Sequence, residues 1–207
     1  MTRIPREIAD LLGRPPRRGP VAPSPRAGLH CLPMKTTFYD LTVPFFQRGL
    51  RSLEGYLRKG AAHAEAQGYD PEALLTARLY PDMFNLIEQV QISTDLARRG
   101  SARLAGLEPA SVADVERTFG ALYQRIDFTL AYLSGLDPAL FAEAEGRSFT
   151  VKMERPLQFT GASYLLGFAQ PNFLFHLTTA YNILRHNGVP LGKRDFVAPF
   201  MVDVTPA

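Results

Sequence analysis

Asn172 and His176 are the two side chains of this 207-residue chain whose type and spacing point most directly to chemistry. They stand four residues apart in an apolar stretch, and a helix places residues at i and i+4 on one face. Pro171 precedes them and cannot donate to the carbonyl of Gly167, so we expect a kink or bulge there. A freed carbonyl beside an amide and an imidazole is typical of a small polar site. The structural alternative is that Asn172 satisfies the broken turn and His176 is a hydrogen-bonded core residue.

The helix that must position this pair is predicted to run from Thr160 to Gly188. The Thr160 hydroxyl can accept a hydrogen bond from a first-turn N–H group, which makes Thr160 the expected N-cap. Apolar side chains recur behind it at helical spacing. Gly188, followed by Pro190, ends the helix, since glycine adopts the left-handed conformation at little cost.

Three further amphipathic helices precede it, with predicted ranges of about 42–67, 81–104 and 112–133. Pro44 is expected in the first turn of the first helix and Pro81 at the start of the second. The short loop at 105–111 makes helices two and three antiparallel neighbours. The inward side chains of helix three are expected to be Val115, Phe119, Leu122, Ile126, Leu130 and Leu133.

Polar side chains on these helices have simple interpretations. Gln89 lies at mid-helix beside apolar neighbours and is expected at the boundary of the core. Asp82, Asp95 and Asp127 have no spacing from which a pair can be derived, so each is expected on a solvated face.

A small β-hairpin is predicted between helices three and four. Residues 148–153 alternate polar and apolar side chains and are rich in β-branched types, and residues 157–160 follow a turn signal. Such a hairpin needs a surface to lie on, which one end of the bundle provides. The tail after Gly188 has too many prolines for a helix, although Phe196, Phe200 and Met201 can still cover apolar surface. The predicted fold class is therefore all-α, a four-helix bundle with a β-hairpin.

Composition excludes several classes of protein and site. Cys31 is the single cysteine, which excludes a disulfide within the chain and a cysteine-based metal site. No apolar run approaches the roughly 18 residues that a membrane span needs. We expect a cytoplasmic protein that does not enter a membrane.

Residues 1–33 are predicted to be a disordered extension ahead of a domain at 34–207, because they hold seven prolines and few large apolar side chains. Residues 1–34 carry six arginines against Glu7 and Asp10, a net charge of +4, and the whole chain carries +3. The difference is a net charge of −1 for residues 35–207, so the composition of the domain does not indicate nucleic-acid binding. The simplest interpretation is that the sequence is extended at its N-terminus and that the natural protein begins at Met34. The alternative is that these residues form a functional basic tail.

Three stretches carry a resemblance to a known family: YDLTVPFFQRGL, YPDMFNLIEQVQISTD and TGASYLLGFAQPNFLFHLTTAYNILRHNGVPLGKRDF. Together they span roughly residues 34–196 and resemble DUF1993, a bacterial domain of unknown function that is similar to the DinB/YfiT-like bundles. The last stretch is the most specific. The resemblance implies a four-helix bundle, often a homodimer.

The resemblance also implies a metal site that this sequence lacks in part. DinB-like proteins typically hold a divalent metal through one histidine of helix two and an HxxxH pair of helix four, ligands that suit Zn²⁺ or Ni²⁺. Aligned on Arg185, the HxxxH pair falls on Asn172 and His176, and the helix-two histidine falls near Gln89. Only His176 is retained, and amide oxygens are weak ligands, so we expect no bound metal.

Three functional hypotheses follow. The first is a bundle with a degenerate metal site that binds a small molecule in a cleft lined by Gln89, Asn172 and His176. The second is a homodimeric structural or interaction module in which these side chains only satisfy one another. The third is a metal-dependent transferase or hydrolase that recruits Asp82 or Asp95 as an extra ligand. Convergence on an open cavity would favour the first hypothesis, and a filled core with mutual hydrogen bonds would favour the second.

Overall fold

A computed structural model of the protein describes residues 36–152 and 154–201. The predicted disordered extension, residues 1–33, and the predicted domain start at Met34 lie outside the described residues. In chain order the helices are α1 (Phe38–Gln67), α2 (Glu72–Leu75), α3 (Leu86–Leu104), α4 (Phe119–Ser134), α5 (Gly161–Tyr164), α6 (Gln170–His186) and α7 (Lys193–Val197). Strands β1 (Ser148–Val151) and β2 (Leu157–Thr160) lie between α4 and α5, and 3₁₀ turns occupy Pro138–Phe141 and Ala198–Phe200.

The architecture is the predicted four-helix bundle with a β-hairpin. Helix α3 packs against α4 and α6, and α1 packs against α3, α4 and α6. At the centre of the core, the fully buried rings of Phe46 and Phe173 meet edge to face with centroids 5.0 Å apart. Gly49 permits this approach, because a Cβ there would lie 2.3 Å from Cε1 of Phe173. The core therefore depends on a glycine where α1 crosses α6.

Helix α1 begins four residues earlier than predicted. Thr37 and Asp40 form a capping box: the Asp40 N–H donates to Thr37 Oγ1 at 3.2 Å, and the Thr37 N–H donates to Asp40 Oδ2 at 2.8 Å. Pro44 consequently lies inside the helix and not in its first turn. The prediction was wrong because the capping box satisfies free N–H groups at the helix start, which outweighs the loss of one ladder bond to proline.

Helix α3 begins at Leu86, not at Pro81 as predicted. The Glu88 N–H donates to Asn85 Oδ1 at 3.0 Å, and the Asn85 N–H donates to Glu88 Oε2 at 2.8 Å. An Asn followed three residues later by Glu is a capping-box signature that the proline prediction overlooked.

Helix α4 begins at Phe119, seven residues later than predicted, and the loop before it is correspondingly longer. Thr118 caps the helix by accepting a hydrogen bond from the Ala121 N–H at 3.2 Å. Val115 lies in the loop with 71% of its surface exposed, so its predicted inward position is wrong. The inward positions at Phe119, Leu122, Ile126 and Leu133 are confirmed, whereas Leu130 is half-buried.

The predicted hairpin is confirmed. Its strands are antiparallel, with Phe149 opposite Phe159. Both rings contact Tyr164 edge to face, with centroid distances of 5.0 Å and 5.6 Å. The hairpin therefore lies on the first turn of the fourth bundle helix, which supplies the surface that two isolated strands need.

The fourth bundle helix runs from α5 through a π-helical segment, Leu165–Ala169, into α6. The Thr160 N-cap is confirmed, since Thr160 Oγ1 accepts from the Ser163 N–H at 3.2 Å. The π segment ends just before Pro171, so the predicted bulge is also confirmed. The helix ends at His186, and Gly188, with a φ of +89°, is the predicted left-handed stop two residues later.

The tail contains a short helix, α7, where the sequence predicted none. Its start is fixed by Asp195, whose Oδ2 accepts from the Gly192 N–H at 2.8 Å and whose Oδ1 pairs with Lys59 Nζ at 2.7 Å. Phe196 and Phe200 cover the aromatic surface of α1, whereas Met201 is 72% exposed. In residues 36–152 and 154–201, no helix combines the length and apolar character needed to cross a membrane.

Candidate functional site

The structure brings Gln89 and His176 together between α3 and α6. His176 Nδ1 lies 2.7 Å from Gln89 Oε1, and Gln89 Nε2 donates to the backbone carbonyl of Phe84 at 3.0 Å. Gln89 is 1% exposed and His176 is 8% exposed. The glutamine is thus fully buried, not at the boundary of the core as the sequence suggested.

The partners of this pair determine the tautomer of His176. An amide oxygen can only accept, so Nδ1 carries the proton and Nε2 keeps its lone pair. Burial lowers the pKa of His176 below its ordinary value, because the charged imidazolium loses hydration. At neutral pH the pair is therefore a neutral amide bonded to a neutral imidazole, with one basic nitrogen remaining.

Asn172 does not join this pair. It is half-buried on α6, one turn before His176, and within residues 36–152 and 154–201 its amide has no hydrogen-bond partner. The structure therefore couples two of the three predicted cleft residues by a direct hydrogen bond and leaves the third available.

The side chains of this region do not fit the metal that the resemblance implies. Across the described part of the chain, no three His, Cys, Asp or Glu side chains come together where they could hold an ion. The oxygen of Gln89 already accepts the proton of His176, and an amide is a weak ligand for Zn²⁺ or Ni²⁺. Asp82 is exposed, and the Asp95 carboxylate is bound by arginines.

A groove of about 920 Å³ lies along α3. The groove is lined by one face of α3, by the loop before α4, by the end of β1 and by two aromatic side chains of the fourth bundle helix. Its lining includes Phe84, Glu88, Ile92, Asp95, Leu96, Arg99, Arg103, Asp114, Lys152, Tyr164 and Phe168. Its volume falls in the range of small-molecule sites, which the sequence alone did not reveal.

The Gln89–His176 pair adjoins this groove without lining it. Gln89 holds the carbonyl of Phe84, and the Phe84 side chain, 51% exposed, lines the groove. On the fourth bundle helix Phe168 lines the groove, and Asn172 follows it four residues later. The predicted cleft residues therefore lie behind and beside the observed groove.

One side of the groove is held by a buried guanidinium that the sequence analysis missed. Arg125, 5% exposed on α4, donates to both oxygens of Glu116 at 3.1 and 3.2 Å and to the Ala113 carbonyl at 3.1 Å. It also pairs with Asp95 at 3.1 Å and Asp114 at 2.9 Å. These bonds fasten the loop before α4 to α3 and explain why that loop is not helical: its carbonyls are satisfied by side chains.

Asp95 is part of this cluster, so its predicted solvated position is wrong. Arg98 donates to Asp95 at 2.8 Å and also bonds the Ala110 carbonyl. A signal for the cluster was present, since Arg125 falls three residues after Leu122 on the inward stripe of α4. An arginine on such a stripe needs buried partners.

Glu116 is the most buried carboxylate of this cluster, at 8% exposure. Burial alone would raise its pKa, but hydrogen bonds from Gln91, at 2.8 Å, and from Arg125 hold the pKa below its ordinary value. Glu116 is therefore ionised at neutral pH, and its charge-assisted hydrogen bonds with Arg125 hold the loop to α4.

Comparison with known proteins agrees with this architecture. Residues 38–197 match the model of the family described as "Domain of unknown function (DUF1993)". The chain is 41% identical to a DinB family member protein from Shewanella denitrificans, known from its crystal structure. That match has a TM-score of 0.74 and covers 82% of this chain and 94% of the other. No curated protein matches the chain.

Proposed function

Since the chain belongs to the DUF1993 family of DinB-like bundles, we propose that it binds a small molecule in the groove along α3, beside a degenerate metal site. The observation that carries the proposal is the groove itself. It combines a volume of about 920 Å³ with apolar side chains, aromatic rings and charges on one helix face. Ligand sites are typically concave, mostly apolar and equipped with a few convergent polar groups.

The predicted cleft residues have supporting roles in this proposal. Gln89 fixes the backbone at Phe84, and His176 orients the amide of Gln89, so the pair keeps one end of the groove in shape. Asn172 offers an amide next to Phe168, where a ligand extending along the fourth bundle helix would meet it.

No transition metal takes part in the proposed function. The Gln89–His176 pair is a hydrogen bond between neutral groups and leaves one imidazole nitrogen, which is too few ligands for Zn²⁺ or Ni²⁺. The transferase or hydrolase hypothesis would require Asp82 or Asp95 as a ligand, and the engagement of Asp95 by Arg98 and Arg125 argues against that role.

A tryptophan reporter tests the groove directly, because the chain contains no tryptophan. Leu96→Trp places the reporter in the groove, and Phe128→Trp places a matched control on α4, at a site that is 56% exposed and outside the groove. On titration with the neutral dye N-phenylnaphthylamine, we expect saturable energy transfer from the first variant and little from the second. Equal responses from both variants, or none from either, would contradict a ligand groove along α3.

The second candidate function is a homodimeric interaction module. The observation in its favour is that Leu166 and Phe175 of the fourth bundle helix are 59% and 55% exposed. The Phe175 ring also meets the His176 ring edge to face at 5.2 Å, so a partner covering Phe175 would close the Gln89–His176 pair from solvent. Light scattering on wild type and on Phe175→Asp tests this, with a dimer that becomes a monomer as the expected result. The expected cytoplasmic location stays a prediction.

A further inference from the structure

A second cavity, of about 610 Å³, adjoins the groove. Of the described residues, the two cavities share Arg99, Arg103 and Lys152, and all three are cationic. Arg147 lines the second cavity as well, and within residues 36–152 and 154–201 its buried Nε has no hydrogen-bond partner. Positive charge is therefore concentrated where the two cavities meet.

The charges at this junction are poorly neutralised by the protein. Arg99 lies 3.6 Å from Asp95, a carboxylate that Arg98 and Arg125 already engage at shorter distances. Arg103 donates to the hydroxyl of Tyr164 at 3.3 Å and, in the described part of the chain, forms no ion pair. A guanidinium with unused donors in a concave site is suited to a carboxylate, sulfonate or phosphate group.

Apolar surface begins directly beside this junction. Leu96 lies three residues before Arg99 on α3, Ile92 lies one further turn back, and Phe168 lines the same groove. Glu88 stands at the far end, 11 residues before Arg99 and so about 16 Å away along the helix axis. A second anionic group at that end would be repelled, whereas an apolar chain would be accommodated between the two ends.

We propose that the ligand of the groove is an amphipathic anion, whose acidic group is bound by Arg99, Arg103 and Lys152 and whose apolar portion lies along Ile92, Leu96 and Phe168. This inference deepens the proposed function, on which it rests, by assigning a ligand class. The acidic group can be a carboxylate or a phosphate, since both accept paired hydrogen bonds from guanidinium.

A charge series with one chain length tests the ligand class. Decanoate, decanol and decylamine are each titrated into the full chain, with displacement of N-phenylnaphthylamine as the readout, and decyl phosphate distinguishes phosphate from carboxylate. We expect decanoate or decyl phosphate to bind at least about tenfold more tightly than decanol, and decylamine more weakly than both. The advantage of the anion should shrink as salt is added, because these cations are partly exposed.

Paired variants locate the acidic group. Arg99→Gln with Arg103→Gln removes two cations of the junction, and Arg51→Gln with Arg185→Gln removes two exposed arginines outside both cavities. The first pair should weaken the binding of the anion about tenfold and leave decanol binding within about twofold. The second pair, with the same change in net charge, should leave both affinities nearly unchanged.

The outcomes separate the two proposals. If decanol and decylamine bind as tightly as decanoate, or if both variant pairs weaken the anion equally, the groove takes a ligand but the assignment of an anion is wrong. If none of the probes binds, the proposed function fails and the ligand class fails with it.

Discussion

Two polar clusters contact helix α3 on different sides, and they differ in charge. On the side that faces α6, a neutral amide bonds a neutral imidazole through a single 2.7 Å contact. On the side that faces α4, the Arg125 guanidinium meets the carboxylates of Asp95, Asp114 and Glu116. The first cluster joins two helices that already pack closely, whereas the second holds a loop that has no helical hydrogen bonds of its own.

This difference indicates what each cluster contributes. A buried ion cluster is costly to break, because removing one partner leaves other charges buried and uncompensated. A neutral pair costs less to lose, because only one net hydrogen bond and some desolvation are at stake. We therefore expect the charged cluster to dominate stability and the shape of the groove, and the neutral pair to adjust one end of it.

Arg125→Leu should have the largest effect. It leaves Glu116 buried without its guanidinium and frees the loop before α4, so the free energy of unfolding should fall by about 3–5 kcal/mol. Urea unfolding measures the loss. Arg51→Leu, at an exposed position of α1, is the matched control and should change stability by about 0.5 kcal/mol or less. If Arg125→Leu lowers the free energy of unfolding by less than about 1 kcal/mol, the charged cluster does not contribute more to stability than the neutral pair.

Gln89→Leu should cost less, about 1–3 kcal/mol, because it strands the Nδ1 proton of His176 and the carbonyl of Phe84. His176→Leu should fall in the same range. The double variant should be less destabilised than the sum of the two, since removing both partners leaves no unsatisfied imidazole or amide. Strict additivity in this double-mutant cycle would mean that the 2.7 Å contact contributes nothing to stability.

Lowering the pH from about 8 to about 5.5 should destabilise the protein in part through His176. Burial lowers its folded-state pKa below the ordinary 6.5, so the unfolded chain binds the proton first as the pH falls. The stability contributed by neutral His176 is thus complete above about pH 6.5 and is lost progressively below it. This window lies above the titration of Glu116, whose pKa is lowered from 4.5.

Thermal melts across that pH range measure the effect, and His176→Gln is the comparison. The variant keeps a neutral donor for Gln89 but cannot be protonated, so its melting temperature should fall less with acid than that of wild type. Parallel curves for the two proteins would show that the neutral pair carries no pH dependence.

Removing metal should have the smallest effect, namely none. The neutral Gln89–His176 pair leaves one imidazole nitrogen, too few ligands for Zn²⁺ or Ni²⁺, so elemental analysis should find less than one transition metal per chain. Incubation with a chelator should leave the melting temperature unchanged. One bound ion per chain, released by chelator with loss of stability, would instead place a metal centre beside His176.

The sequence by itself determined the elements whose signals are local. The Thr160 cap, the Gly188 stop, the bulge before Pro171 and the hairpin at 148–160 each follow from a few neighbouring residues and were predicted correctly. The inward stripe of α4 was predicted from Phe119 onward for the same reason, because helical periodicity is a local pattern.

Only the tertiary structure decided where α4 starts and where the polar groups meet. The predicted first turns of α4 are absent because Arg98 and Arg125, distant in sequence, bind the carbonyls of Ala110 and Ala113. The groove likewise has no local signature, since it is formed by α3, a loop, a strand end and two aromatic rings. The partner of His176 could not be predicted from local sequence for the same reason. Gln89 lies 87 residues away in the chain, and only the packing of α3 on α6 brings the two side chains within 2.7 Å.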